Sequence, residues 1–337
     1  MKVTVLGAGA WGTALSMVLH QVGHRVTLWG HHAGHLEELQ RRGQNERHLP
    51  GIMLPGFAAY QPDAARAIAG AETVVVAVPS KALREVVSSL GDFAGVVVSV
   101  TKGIEFKTGL TMSGVLAQCL PHAKVAALSG PSLAMEVARG IPTAIVAASE
   151  DPAVALEVQR TFHLPLFRVY TSQDIQGVEL GGALKNVVAI AAGAGDGLGF
   201  GDNSKAALVT RAIVEIQRLG VACGARPETF SGLSGLGDLT VTCFSKLSRN
   251  RTFGEQLGRG RQLQELLDQS ISIVEGYPTA QSAHQLSAEQ GVDTPIIDEV
   301  YAVLYEGKNP GQAVADLTRR ESKAETDPES LPPAAPA

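Results

Sequence analysis

Short apolar runs and longer stretches of helical periodicity alternate through the first half of the chain. Residues 3–6, 25–29, 73–78, 95–100, 124–128, 143–148 and 167–170 read as strands. Several of these are near-continuous Val, Ala and Ile runs rather than alternating patterns. That marks strands buried on both faces of a parallel sheet covered by helices. Residues 82–89 and 110–119 read as helices between them. The order of elements predicts a doubly wound α/β sheet over residues 1–176. Past Val178 the strand-like runs mostly vanish, and residues 178–194, 204–219, 280–289 and 296–305 carry helical patterns. A second, mainly α-helical C-terminal domain is expected over residues 177–320. Residues 321–337 are rich in Glu, Ser, Pro and Ala without periodicity and read as a disordered tail.

The first strand runs straight into Gly7, Gly9 and Gly12, spaced G-x-G-x-x-G, and residues 13–19 continue as a helix. Strand, glycine turn and helix start are the context in which this spacing binds a dinucleotide, and they make the first domain Rossmann-like. Gly7 allows the turn, Gly9 lets backbone approach a pyrophosphate, and Gly12 lets helix and strand pack closely. The helix start offers free N–H groups and partial positive charge to the phosphates. In NAD-only sites an acidic residue usually ends the second strand. Here Gly30, His31 and His32 follow Trp29, and no carboxylate comes before Glu37. Histidines do not repel the extra phosphate of NADPH, so NADP(H) is expected to be accepted, with or without NAD(H). The ordinary alternative makes both histidines solvated loop residues.

Composition narrows the partners. The net charge is −5 with 18% charged and 45% hydrophobic residues, and no basic block stands out. That argues against nucleic acid. Cys119, Cys223 and Cys243 are odd in number and widely spaced, which points away from a disulfide framework or a zinc site and toward a reducing cytoplasm. The remaining histidines, among them His20, His24, His35, His122, His163 and His284, show no metal-ligand spacing. No signal peptide and no membrane-spanning apolar run is expected.

Ligands of open α/β sheets bind beyond the carboxyl ends of the strands. Three such exits carry polar or turn-forming residues: 78–81, with Ser80 and Lys81; 99–103, with Lys102 before Gly103; and 129–132, with Gly130 and Ser132. Lys102 could reach an anionic substrate, although position alone favours a solvated loop lysine. Lys185 sits in a run of small and apolar residues at 177–195. It is either a surface lysine or one buried so that its pKa falls toward neutrality for proton transfer. Asp238 closes a glycine-rich stretch at 231–238 and could hold such a lysine. Ser248, Arg249 and Asn250 form a candidate phosphate clamp, since guanidinium matches phosphate with paired donors. Arg251 is expected on a helix surface.

These motifs together resemble the bacterial NAD(P)-dependent glycerol-3-phosphate dehydrogenases. The matching pieces run in family order: the glycine turn at 7–15, Val-Pro-Ser at 78–80, Thr-Lys-Gly-Ile-Glu at 101–105 and Ser-Gly-Pro-Ser at 129–132. They continue through 177–186, 232–239, 248–251, 274–277 and 304–308, nearly the whole chain except the tail. The resemblance implies reversible reduction of dihydroxyacetone phosphate by NAD(P)H to sn-glycerol 3-phosphate, a precursor for phospholipids. It implies Lys185 as proton donor and acceptor, and Lys102 touching both substrate and cofactor. Gly130, Ser132, Asp238, Ser248, Arg249 and Asn250 would surround the substrate. Ala10, Trp11, His31, Lys102, Ala134, Arg249, Ile273 and Glu275 would line the cofactor. A cytoplasmic homodimer comes with the resemblance. The chain departs from the family at Ala10 and Trp11, where Ser precedes Tyr or Trp in many members, and at Ser132, where many have Thr. Two other classes stay open: a hydroxy-acid or keto-acid reductase of the same plan, and a dinucleotide sensor without catalysis.

Overall fold

The computed structural model describes residues 1–269, 274–321 and 325. Ile273 and most of the expected tail lie outside the described residues. The strands are β1 (Lys2–Leu6), β2 (Arg25–Trp29), β3 (Gln44–Asn45), β4 (Leu49–Met53), β5 (Ala59–Gln61), β6 (Thr73–Val76), β7 (Val96–Ser99), β8 (Lys124–Ser129), β9 (Thr143–Ala148) and β10 (Phe167–Ser172). Eight of them form one sheet in the order β10-β9-β8-β7-β6-β1-β2-β5, and β3 and β4 pair separately as an antiparallel ribbon.

β6 and β7 are buried at every position. Their neighbouring side chains fall into two different cores, because successive residues of a strand face opposite sides. Val75 and Val98 join the core on one face, while Val74, Val76 and Val97 join the core on the other. The all-apolar strand pattern therefore reflects helices on both faces. From β1 the chain winds outward to β2 and β5, then crosses back to β6 on the other side of β1. The loops after β1 and β6 diverge at this point, which is where such sheets open a crevice.

The sheet is not parallel throughout. β9 runs antiparallel to β8, and β10 follows β9 in parallel. The link from β8 to β9 carries only the short helix Ala134–Ala138 and returns the chain beside the strand it left. The strand β5 escapes the sequence reading because it is three residues long and lacks an apolar run.

The second half is helical, with its own core around the helix Ile175–Gly197. This helix starts earlier than its apolar pattern does, because Asp174 Oδ1 caps it by accepting from the Gly177 N–H at 2.9 Å. The run of small residues has a packing purpose. A Cβ on Gly193 would overlap the Arg251 carbonyl oxygen. One on Gly254 would overlap that of Ile190, and one on Gly258 that of Ala194. The helices Ile175–Gly197 and Arg249–Gly258 thus lie backbone against backbone, which brings the start of the second beside Asn186 of the first. Among the described residues, no helix is long and apolar enough to cross a membrane.

Candidate active site

The glycine turn is built as the sequence requires. Gly7 has φ +127°, and its N–H donates to the Trp29 carbonyl at 2.9 Å. A Cβ there would lie 2.5 Å from the Ala77 carbonyl oxygen, and one on Gly12 would overlap the Gly7 carbonyl. These two glycines hold β1, β6 and the helix Ala10–Val22 together. Gly9 is different: a Cβ there would meet nothing within 4 Å. The helix it precedes has no side-chain cap, so its first N–H groups are free for an anion. Beside them the buried indole Nε1 of Trp11 has no partner among the described residues. An open backbone cradle, an uncapped helix start and an orphaned donor fit a dinucleotide. Ala10, Trp11 and Ala134 are partly buried. His31 and His32 are exposed after β2, with ring centroids 3.7 Å apart.

A cluster of charge lies beyond the ends of β7 and β8. Asp238 is buried at the start of the helix Asp238–Phe244 and faces two lysines, one from each half of the chain. Its Oδ1 accepts from Lys185 Nζ at 2.7 Å, and its Oδ2 accepts from Lys102 Nζ at 2.6 Å. Lys185 also donates to Thr242 Oγ1 at 2.6 Å, and that hydroxyl donates to the Asp238 carbonyl at 2.6 Å. Lys102 also donates to the Gly130 carbonyl at 3.1 Å, which accepts from Ser132 Oγ at 2.8 Å as well. Burial pushes the Lys185 pKa down to about 8; the Asp238 carboxylate opposes this and the Lys102 charge adds to it. Two of the three Lys185 protons are committed to protein acceptors among the described residues.

The stretch before Asp238 forms a single turn of π-helix, Leu233–Gly237, rather than an open loop. Gly182 faces Ser129 and Lys102. A Cβ there would lie 2.5 Å from Ser129 Oγ, which would have to shift, and in ordinary contact with Lys102 Cγ at 3.6 Å, so glycine lets Ser129 pack against this helix beside Lys102.

The third part is the start of the helix Arg249–Gly258. Ser248 is its N-cap and accepts from the Arg251 N–H at 3.2 Å. The backbone N–H groups of Arg249 and Asn250 have no acceptor among the described residues, and the Arg249 side chain is exposed. The Asn250 amide is committed: Nδ2 donates to Asn186 Oδ1 and Oδ1 accepts from the Gly276 N–H, both at 2.9 Å. Glu275 accepts from Ser80 Oγ at 2.6 Å and from the Ser80 N–H at 3.3 Å, tying the halves of the chain together at the switch point. Arg251 is not on the surface. It is buried and pairs with Asp196 at 2.5 Å and Glu255 at 3.2 Å, because the tight helix packing leaves no room for it outside.

Sequence reasoning missed Thr242, although Asp238 and Thr242 are four residues apart and so share a helix face. It also missed His48, whose pKa falls to about 4 through burial, His35, Arg47 and Arg249. That neighbourhood sets the turn between β3 and β4 against Arg249. Among the described residues no group of three or more His, Cys, Asp or Glu is placed to hold a metal ion.

A doubly wound cradle for a dinucleotide, closed by a helical domain that delivers a buried amine, defines the class of two-domain pyridine-nucleotide dehydrogenases. Within that class the chain belongs to the NAD-dependent glycerol-3-phosphate dehydrogenase family. Residues 2–155 match its N-terminus and residues 174–315 its C-terminus. The chain is 47% identical over 331 residues to a glycerol-3-phosphate dehydrogenase [NAD(P)+] of Chlorobium phaeobacteroides, covering 96% of this chain and 99% of that one. It is 49% identical over 331 residues to one of Anaeromyxobacter, covering 96% and 100%. The crystal structure of glycerol-3-phosphate dehydrogenase from Coxiella burnetii superposes with a TM-score of 0.91 at 38% identity, covering 95% of this chain and 99% of that one.

Proposed function

We propose that the chain reversibly reduces dihydroxyacetone phosphate to sn-glycerol 3-phosphate with NAD(P)H, with Lys185 as the proton donor and acceptor. The observation that carries this reading is one buried carboxylate, Asp238, bonded to both Lys185 and Lys102. A nicotinamide held in the glycine cradle would supply the hydride for reduction and accept it in oxidation. Lys185 gives its proton to the ketone oxygen during reduction and takes it back from the carbinol during oxidation. A pKa of about 8 leaves both forms accessible near neutrality. Lys102 places a second positive charge where the oxygen becomes negative. Asp238 holds both amines in place. Arg249 and the free N–H groups at the start of its helix receive the ester phosphate, since a helix N-terminus and a guanidinium both favour that anion.

Ser248 and Asn250 hold this helix start in position, and Gly130 and Ser132 border the substrate beside Lys102. Gly7, Gly9, Ala10, Trp11 and Gly12 hold the dinucleotide, with His31, His32, Ala134, Glu275 and Ile273 along its length. No acidic residue follows β2 before Glu37, so NADPH is accepted as well as NADH. The two working domains divide near residue 176, in the first turn of the helix Ile175–Gly197 that follows β10. The enzyme works as a homodimer in the cytoplasm and supplies phospholipid synthesis.

The test is oxidation of NADPH, and separately NADH, by the purified protein with dihydroxyacetone phosphate, against unphosphorylated dihydroxyacetone. Turnover restricted to the phosphate ester is the expected result. Turnover with a keto acid instead would transfer the site to the reductase reading, and binding of dinucleotide without any turnover would make the protein a sensor.

A further inference from the structure

Asn45 has none of its surface exposed. It lies on β3, far in sequence from the glycine turn, yet its side chain reaches into it. Nδ2 donates to the Ala8 carbonyl at 3.1 Å and to Thr13 Oγ1 at 2.8 Å. The buried Asn45 Oδ1 has no partner among the described residues, so the two bonds donated by Nδ2 are what offset the cost of burying this amide and fix it on these two acceptors. Ala8 stands between Gly7 and Gly9 and shares a peptide unit with the Gly9 N–H.

All peptide bonds in the described chain are trans. In a trans unit the carbonyl and the following N–H point in opposite directions. Holding the Ala8 oxygen against Asn45 therefore turns the Gly9 N–H away from Asn45. That N–H has no acceptor among the described residues, and the space beside Gly9 is open. A rotated peptide would aim the Ala8 oxygen, a partial negative charge, where an anion has to sit.

We infer that Asn45 is a positioning residue for the dinucleotide pyrophosphate: it locks the Ala8–Gly9 peptide so that the Gly9 N–H faces the anion. The β3–β4 ribbon is the element that carries this lock. The inference rests on the glycine turn binding a dinucleotide and is independent of which ketone is reduced.

The experiment is calorimetric titration of the full-length protein with ADP-ribose, which contains the pyrophosphate, and with adenosine 2′-monophosphate, which does not. Asn45→Ala and Asn45→Asp are expected to weaken ADP-ribose about tenfold, the effect of one lost hydrogen bond to a charged group. Adenosine 2′-monophosphate is expected to bind within twofold of the unaltered protein. Equal weakening of both ligands would mean that Asn45 merely braces the ribbon, and unchanged ADP-ribose affinity would likewise overturn the inference. If neither variant folds, amide hydrogen exchange on the unaltered protein decides. ADP-ribose must slow exchange of the Gly9 amide and adenosine 2′-monophosphate must not; an unprotected Gly9 amide refutes the lock. An unaltered protein that binds neither ligand would remove the dinucleotide reading itself, a result distinct from any outcome for Asn45.

Discussion

Replacing Asp238 by Asn tests the electrostatic core of the site. The substitution keeps the shape and removes the one negative charge that faces two ammonium groups at 2.7 and 2.6 Å. Leaving a buried partner uncompensated costs about 3–5 kcal/mol. The protein can relieve that cost by releasing a proton, and Lys185 is the amine that yields, since its pKa is already down to about 8. One pKa unit corresponds to about 1.4 kcal/mol. Relieving about 3 kcal/mol therefore lowers the Lys185 pKa by about two units, to roughly 6. Reduction uses the protonated amine, so kcat/KM for dihydroxyacetone phosphate falls as pH rises through the pKa. In the unaltered enzyme that decline is centred near pH 8, and in Asp238→Asn near pH ~6. At pH ~7.5 the protonated fraction drops about 25-fold. The assay is kcat/KM for NADPH oxidation across pH 5–10, with circular dichroism to verify folding. A folded variant whose decline stays near pH 8 would show that Asp238 does not set the ionisation of Lys185.

Lys185→Ala is expected to lose at least about 100-fold in turnover while binding NADPH within twofold by fluorescence titration; near-normal turnover would free Lys185 of its role. Gly182→Ala sets a Cβ 2.5 Å from Ser129 Oγ, so melting should register a loss of about 1–3 kcal/mol together with reduced kcat, and an unchanged melting curve would contradict the packing. Glu215, buried and bonded to the Ile296 and Ile297 N–H groups, has its pKa pushed up to about 7 by burial. The folded carboxyl keeps its proton between pH ~4.5 and 7 while the unfolded one loses it, so stability falls over that range by up to about 3 kcal/mol. Melting of Glu215→Gln should lack that decline, and an identical pH slope would exclude Glu215 as its source. His31→Asp should raise the KM for NADPH relative to NADH severalfold, and an unchanged ratio would place His31 outside the cofactor site.

Strand positions were legible because strands buried on both faces need continuous apolar runs, and helix positions because their periodicity differs. What escaped lacked such a signal. β5 has no apolar run, and the antiparallel turn into β9 depends on how a short connection folds back rather than on composition. Gly7, Gly9 and Gly12 were readable because steric demands at a βα turn are local. The partnership of Lys102, Lys185 and Asp238 was only half readable. Each residue could be singled out by its setting, but a contact between residues 136 positions apart is made by the docking of two domains. Arg251 shows the limit from the other side. Its charge suggested solvent, yet Gly193, Gly254 and Gly258 pull the two helices together and bury it against Asp196.

In the proposed mechanism, the charge balance of the cluster suits Lys185 both to protonate a ketone and to take the proton back from a carbinol. Lys102 and Lys185 together face a single buried carboxylate, so the protonated cluster carries one surplus positive charge. Burying surplus charge is unfavourable, and that cost lowers the Lys185 pKa to about 8 rather than leaving it in the ordinary lysine range. The same surplus is what an oxygen gaining negative charge needs from its surroundings. A second carboxylate would neutralise the cluster, return Lys185 toward a permanently protonated amine and remove the attraction for the developing oxyanion. No carboxylate at all would leave Lys185 mostly neutral at physiological pH and seldom able to protonate a ketone. One acid between two bases is the arrangement that keeps the amine transferable and the site positive, and the fold secures it by taking Lys102 from the loop beyond β7 and Lys185 and Asp238 from the helices.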